Sequence, residues 1–471
     1  MLTWDSYKKW LGDAAKGPTP APPAPDVAAL ATDTRTLGPG QWFVPIKGPS
    51  FDGHGFIEEA VRRGASGFFY EAQRAGEVPA TIRSKGLAVS DSLLAFQRAA
   101  SGWRRELQSL RLLALTGSTG KTTTKEMLSR ILRTAGPTLA TQASFNNEIG
   151  VPKTLQSLRP EHRYAALEFG ARMPGNIRFL CEMAAPDVVG LVNVGVAHLG
   201  IFGSVEALLN TKLEIFRDSP NHAVQVAYHD DPRILAGARG TGKRTLSFGR
   251  DPAADVRLLG SDWQLEDGTM RVRLGLPGGR QLDIPFDVAH EALPLNAAAA
   301  TALALAADVE VDAIEQGLAH FSGVKGRYLV HRGGPLTIVD DTYNANPASM
   351  AAGLATVARA FAGRRQILVL GDMLELGDGS TEEHHKVGSQ TVARMQPALL
   401  VTVGPEARHI ARGAVASGLP EARVRSYDTV DALLAAGLDF AKFGDTLYAK
   451  GSNGIRLSQL VDKLLDQTGR N

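Results

Sequence analysis

The stretch LLALTGSTGKTTTKEM, residues 112–127, sets two glycines and a lysine between an apolar run and a helix-like one. The run Leu112 to Leu115 has the length and composition of a buried strand. Beyond it, Met127, Leu128, Ile131 and Leu132 recur at helical spacing until Gly136 supplies a stop. Strand, glycine turn, helix is the setting of a phosphate cradle. Glycine lets backbone N–H groups approach an anion, and a helix N-terminus carries partial positive charge. Gly117, Ser118, Thr119, Gly120, Lys121, Thr122 and Thr123 are therefore the candidate nucleotide loop, with Lys121 directed at the outer phosphates and Thr122 at Mg2+. The loop is short. Where the usual pattern has its first glycine stands Leu115, leaving G-x-x-G-K-T.

Bulk properties narrow the setting. The chain has 471 residues, which at roughly 150 per domain predicts about three units. Its 51 basic and 49 acidic residues leave a net charge of +2, without the basic footprint of a nucleic-acid binder. The single cysteine, Cys181, rules out an internal disulfide and fits a reducing compartment, and MLTWDSYKKW lacks the apolar core of a secretory signal. A cytoplasmic protein is expected, with no membrane insertion: the run from Leu295 to Ala307 is shorter than the ~18–20 residues that span a bilayer. A monomer is expected.

The expected fold class is α/β in three domains. Residues 1–109 carry a proline-rich excursion, KGPTPAPPAPD, then a small α/β unit with a strand at Trp42 to Ile46 and a helix at Phe56 to Arg63. In residues 110–324, apolar runs at Leu112 to Leu115, Ala165 to Glu168 and Val188 to Val194 alternate with helical patterns, which predicts a mostly parallel sheet of the phosphate-loop type. The alternating VRLLGSDWQLEDGTMRVRLGL adds antiparallel strands, and alanine-rich and shorter helices at Asn296 to Ala307 and Asp312 to His320 close the unit. Residues 325–471 begin a further cycle, LTIVDDTY, QILVLGD, ALLVTVG and DTLYAKGS, a Rossmann-like doubly wound unit.

Glu168 ends a strand and His198 follows another, so both would emerge at the carboxyl rim of the sheet, where ligands of such folds collect. Singly each has a structural explanation; placed together beside a phosphate loop they read as Mg2+ ligands. Lys212 interrupts the apolar line Leu208, Lys212, Ile215 of a helix that Ser204 would cap, and is either a snorkelling lysine or a functional one. Asn146 and Asn147, before Gly150, suit either a turn or substrate contacts. In IVDDTYNANPASM, Asn346 and Pro347 have the form of an N-cap and first helical residue, whereas nothing structural requires Asp341, Tyr343 and Asn344 together. Arg327 lies at the domain junction, placed to reach phosphates when two units close. Lys450 and Ser452 either face the same cleft or make a turn.

In the setting TGSTGKTTTKEM the short loop resembles that of the Mur ligases and the related folylpolyglutamate synthetases. The segments DTR, DGHGFIEEA, NNEIGVP, LEFGARMPGNI, TKLEIF, DDTYNANPASM, LGDMLELG and KGS extend the resemblance to Mur ligases over essentially the whole chain, towards the branch that joins D-alanyl-D-alanine to a UDP-N-acetylmuramoyl-tripeptide. The resemblance implies ATP and Mg2+, an acyl-phosphate intermediate, and a carbamylated Lys212 whose anion supports the metal. It implies nucleotide contacts from Asp341, Tyr343 and Asn344, adenine beside Asn296, and the UDP end held in the first domain by Thr34, Arg35, Asp52, Gly53 and His54. Two positions depart from the family pattern: Thr119 replaces an asparagine, and His290 lies six residues before Asn296 instead of four. A kinase or GTPase would share the loop but not DDTYNANP; a nucleotide-binding scaffold would bind ATP without ligation.

Overall fold

The computed structural model describes residues 2–48, 51–141, 145–195, 202, 204–264, 268–332, 334 and 336–467. Three sheets organise them. The first has four strands, Leu30–Ala31, Trp42–Phe43, Gly67–Glu71 and Gly86–Val89, paired in parallel in chain order. The expected strand Trp42 to Ile46 is only two residues long, Trp42–Phe43, matching its two-residue partner Leu30–Ala31. The helix Ser92–Glu106 leads from this sheet to the next.

The second sheet has nine strands. Arg111–Thr116 lies inside it, flanked in parallel by Tyr164–Glu168 and Val188–Leu191. Leu113 and Leu115 enter one apolar core and Leu112 and Ala114 the other, which is why the strand reads as a continuous apolar run instead of an alternating one. Thr138–Ala140 forms one edge, and Val224–Tyr228 and Thr245–Gly249 continue the parallel ladder on the other side. The expected antiparallel addition is present as Val256–Gln264, Thr269–Gly275 and Gln281–Phe286. The loop helix Lys121–Ala135 buries Met127, Leu128, Ile131 and Leu132 fully. Against it packs Leu293–Ala306, buried nearly all round, and an apolar helix of small residues can lie close to both the sheet and its neighbour.

The third sheet has six strands in the order Leu329–His331, Thr337–Asp341, Thr446–Lys450, Gln366–Gly371, Leu399–Val403 and Val424–Tyr427, parallel except for the first pair. Asp340 and Asp341 are the last residues of the strand Thr337–Asp341. The Asp340 carboxylate accepts the Gly326 N–H at 2.8 Å and the Thr342 hydroxyl at 2.6 Å, and Tyr343 N–H donates to Gly326 O at 2.9 Å, so the junction is clipped onto the third sheet.

Candidate active site

The loop and the helix it feeds are shaped by one left-handed residue. Gly120 has φ +76° as N-cap of Lys121–Ala135, and a Cβ there would lie 2.5 Å from Asn296 Oδ1, so the adenine-side candidate and the phosphate loop are in contact. Lys121 Nζ donates back to Gly117 O at 2.8 Å. Burial lowers its pKa, with the Glu168 carboxylate opposing and Arg327 adding to the fall. Thr122 Oγ1 donates to Glu168 Oε2 at 2.6 Å, and Asn146 Nδ2 donates to Oε1 at 3.0 Å. Burial would raise the pKa of Glu168, but Lys121, Arg327 and these two donors outweigh it and hold the group ionised, below its ordinary value.

Lys212 lies on Val205–Arg217, which Ser204 caps with a 3.1 Å bond from Ala207 N–H. It is 3% exposed, and burial, reinforced by Lys121 and opposed by Glu168, pushes its pKa down to about 7. A snorkelling lysine would keep its head in water; this one does not. Asn147 Oδ1 accepts the Gly150 N–H at 2.8 Å and so starts the helix Gly150–Gln156, the turn role open to it from sequence.

Facing this wall is the third sheet. Asp341 accepts from Lys450 Nζ at 2.8 Å and Tyr448 OH at 2.9 Å, and Lys450 also donates to Asn344 O at 3.0 Å. Arg327 lays its guanidinium 4.0 Å from the Tyr343 ring centroid, a cation–π contact that orients it. Ser452 Oγ accepts the Leu374 N–H at 2.9 Å. Asn346 caps Pro347–Ala360 with a capping box closed by Ser349, as its sequence position suggests. Between the walls lies a cleft of about 920 Å³, the scale of a nucleotide with a second ligand. Lys121, Glu168, Lys212 and Asn296 line it from one side, and Arg327, Asp341, Tyr343, Asn344, Lys450 and Ser452 from the other.

The chain that builds this cleft is similar to known proteins along most of its length. The family model described as the Mur ligase middle domain matches residues 115–304, and that of the Mur ligase glutamate ligase domain matches residues 326–453. A UDP-N-acetylmuramoyl-tripeptide–D-alanyl-D-alanine ligase from a Synechocystis species is 33% identical, over 93% of this chain and 91% of that protein. The chain belongs to the Mur ligase family. A MurF crystal structure from Acinetobacter baumannii superposes with a TM-score of 0.84 at 30% identity, covering 99% of both chains. A Thermotoga maritima MurF ligase in complex with ADP gives 0.78 at 28%, covering 93% of this chain and 98% of that one. The three-unit α/β architecture expected from sequence is that of these Mur ligases.

Other candidates of this Mur ligase stand elsewhere. Thr34, Arg35, Asp52, Gly53 and His54 belong to the first unit and do not line the cleft. Arg35 is exposed and paired with Asp33 at 2.7 Å. Asp52 accepts the His54 N–H at 3.0 Å and pairs with Arg74 at 2.9 Å, and His54 accepts from Glu71 N–H at 3.2 Å, so this turn also has a structural duty. His198 lies outside the described residues. His290 accepts the Ala292 N–H on Nδ1 and packs edge-on against Tyr328; burial pushes its pKa to about 4, so the ring is neutral. Sequence reasoning missed Asn193, whose carboxamide bonds to the nucleotide loop, and Glu214, which accepts the Gly175 and Arg178 N–H groups at 2.7 and 3.0 Å. The strand-end argument that singled out His198 applies equally to Asn193; Glu214 carried no comparable signal.

Proposed function

We propose that this chain is a cytoplasmic, monomeric ATP-dependent ligase that joins D-alanyl-D-alanine to UDP-N-acetylmuramoyl-tripeptide, making the pentapeptide precursor of peptidoglycan. The observation that carries this is the cleft in which Lys121, Glu168 and Lys212 face Arg327 and the Asp341–Lys450 pair, in a chain similar over most of its length to ligases of that name.

In the chemistry proposed, an oxygen of the tripeptide's terminal carboxylate bonds to the γ-phosphorus of ATP and the bond to the β-phosphate oxygen breaks, leaving ADP. The amine of D-alanyl-D-alanine then bonds to the acyl carbon, phosphate departs with the C–O electron pair, and the amine loses a proton. The obstacle is bringing a carboxylate and a triphosphate together. Lys121, the N-terminus of Lys121–Ala135 and Arg327 supply fixed positive charge against that repulsion. Thr122 and Glu168 bring two oxygen ligands together, the donor type Mg2+ takes while keeping several waters, so the residues present fit that ion. When bound, it would neutralise phosphate charge. Lys212, with a substantial neutral fraction near pH 7, is suited to attack CO2 through nitrogen and lose a proton, leaving a carbamate anion. Residues 1–109 would hold the UDP end, 110–324 ATP and metal, and 325–471 would close over the nucleotide and keep water from the acyl phosphate.

The test is phosphate release from ATP, with mass detection of the pentapeptide. Release is expected only when tripeptide and dipeptide are both present; release without either, or a folate product in a substrate panel, would overturn the assignment.

A further inference from the structure

We propose that Asn193 is a positioning residue for the nucleotide loop: it ties down the Ser118 and Thr119 amides and leaves the triphosphate to Lys121 and the amides from Gly120 onward. This rests on ATP being the loop's ligand.

The tether is complete in the geometry. Asn193 Oδ1 accepts the Ser118 N–H at 3.1 Å and the Thr119 N–H at 3.0 Å, while its Nδ2 donates to Thr119 O at 2.9 Å. The backbone carbonyl of Asn193 also accepts from Ser118 N–H at 3.2 Å, and Gly195 N–H donates to Ser118 Oγ at 2.9 Å. Gly117 fits beneath this crossing: a Cβ would lie 2.4 Å from Val192 Cγ2. Asn193 stands two residues past Val188–Leu191, which is hydrogen-bonded alongside the strand that feeds the loop.

The tether accounts for the short motif. In the longer G-x-x-x-x-G-K form, the loop has backbone enough to wrap a phosphate with its own N–H groups. Here Leu115, the position of the missing glycine, is fully buried in the strand, and the first loop amides are claimed by the neighbouring strand's end. Only a carboxamide serves both ends of this contact, because it accepts two N–H bonds on oxygen and donates to a carbonyl from nitrogen. Aspartate could accept but not donate, and would set a negative charge beside the triphosphate.

The experiment uses full-length protein, Asn193→Ala and Asn193→Asp. It reads ADP titration, the KM for each substrate, and hydrogen exchange of the loop amides without nucleotide. Asn193→Ala is expected to expose the Thr119 amide, while the Ser118 amide keeps the backbone carbonyl of residue 193, and to raise the ADP Kd and the ATP KM about tenfold. The KM values of the other two substrates should stay at parental level; general unfolding would lower turnover without raising the ATP KM alone. Asn193→Asp should keep the amides protected yet bind ADP more weakly still. Parental ADP affinity in Asn193→Ala, or a protected Thr119 amide in it, would overturn the tether while leaving ATP as the loop's ligand. If Asn193→Ala fails to fold, Asn193→Asp decides: parental ADP affinity there refutes the proposal. Should the parent itself fail to bind ADP, ATP is not this loop's ligand and both proposals fall.

Discussion

Lys212 has its amine buried and its pKa drawn down to about 7, so its charge state is set by the fold. The unfolded chain keeps the proton up to the ordinary lysine pKa of 10.5, the folded chain only up to about 7. Between those values the unfolded state binds more protons, so stability rises with pH; below about 7 the penalty is complete and constant. In bicarbonate-free buffer, Lys212→Met should therefore exceed the parent in thermal midpoint most at low pH, the gap closing as pH rises from neutral towards 10. Parallel midpoints across that range would contradict the burial argument. Lys121 acts differently. Its ammonium hydrogen-bonds loop carbonyls and its charge helps hold Glu168 ionised, so Lys121→Ala should leave the chain folded by circular dichroism while reducing turnover roughly 100–1,000-fold, the usual cost of one charge-stabilising group. Near-parental turnover would remove Lys121 from the mechanism.

At the level of elements, the ends of helices and strands are what build the site. Gly120 starts the loop helix, Ser204 the Lys212 helix, and Asn346 the helix that follows Asp341. Asn346→Ala removes the side-chain bond of the capping box, in which Asn346 Oδ1 accepts the Ser349 N–H, and leaves the backbone N–H of residue 346 on Ser349 Oγ; it should cost about 1 kcal/mol. Hydrogen exchange of Pro347–Ala360 measures this, since a chain of several units does not unfold in one step. Unchanged exchange there would mean that Pro347 and packing alone set the helix start. These caps were legible in sequence because side chains of Ser, Asn and Asp announce a helix start locally. The short strand at Trp42 and the end of Val188–Leu191 were not, because where a strand stops depends on when its ladder partners stop.

Across the whole molecule, the Asp341–Lys450 pair joins two neighbouring strands of the third sheet at the cleft wall, with side chains 12% and 3% exposed. Lys450→Met strands the Asp341 carboxylate and should destabilise the unit by roughly 3 kcal/mol, while the double variant with Asp341→Asn should recover much of that. Amide exchange across Thr446–Lys450 distinguishes the two; equal losses in both would show that the pair adds no coupling. No helix among the described residues is long and apolar enough to cross a membrane.

By itself the sequence determined the α/β class, the strand, glycine turn and helix of residues 112–127, Glu168 at a strand end and the buried face that Lys212 shares with Leu208 and Ile215. All of these follow from period, capping and turn chemistry within a few residues. Only the tertiary structure decided that Lys450 is spent on Asp341, that Arg327 rests on Tyr343, and that Asn193 ties the nucleotide loop. These contacts join segments far apart in the chain, and which donor meets which acceptor is fixed only when the sheets and their loops are assembled. That is how residues 112–127 can announce a phosphate loop and still leave its missing glycine unexplained: the compensating group stands more than seventy residues away.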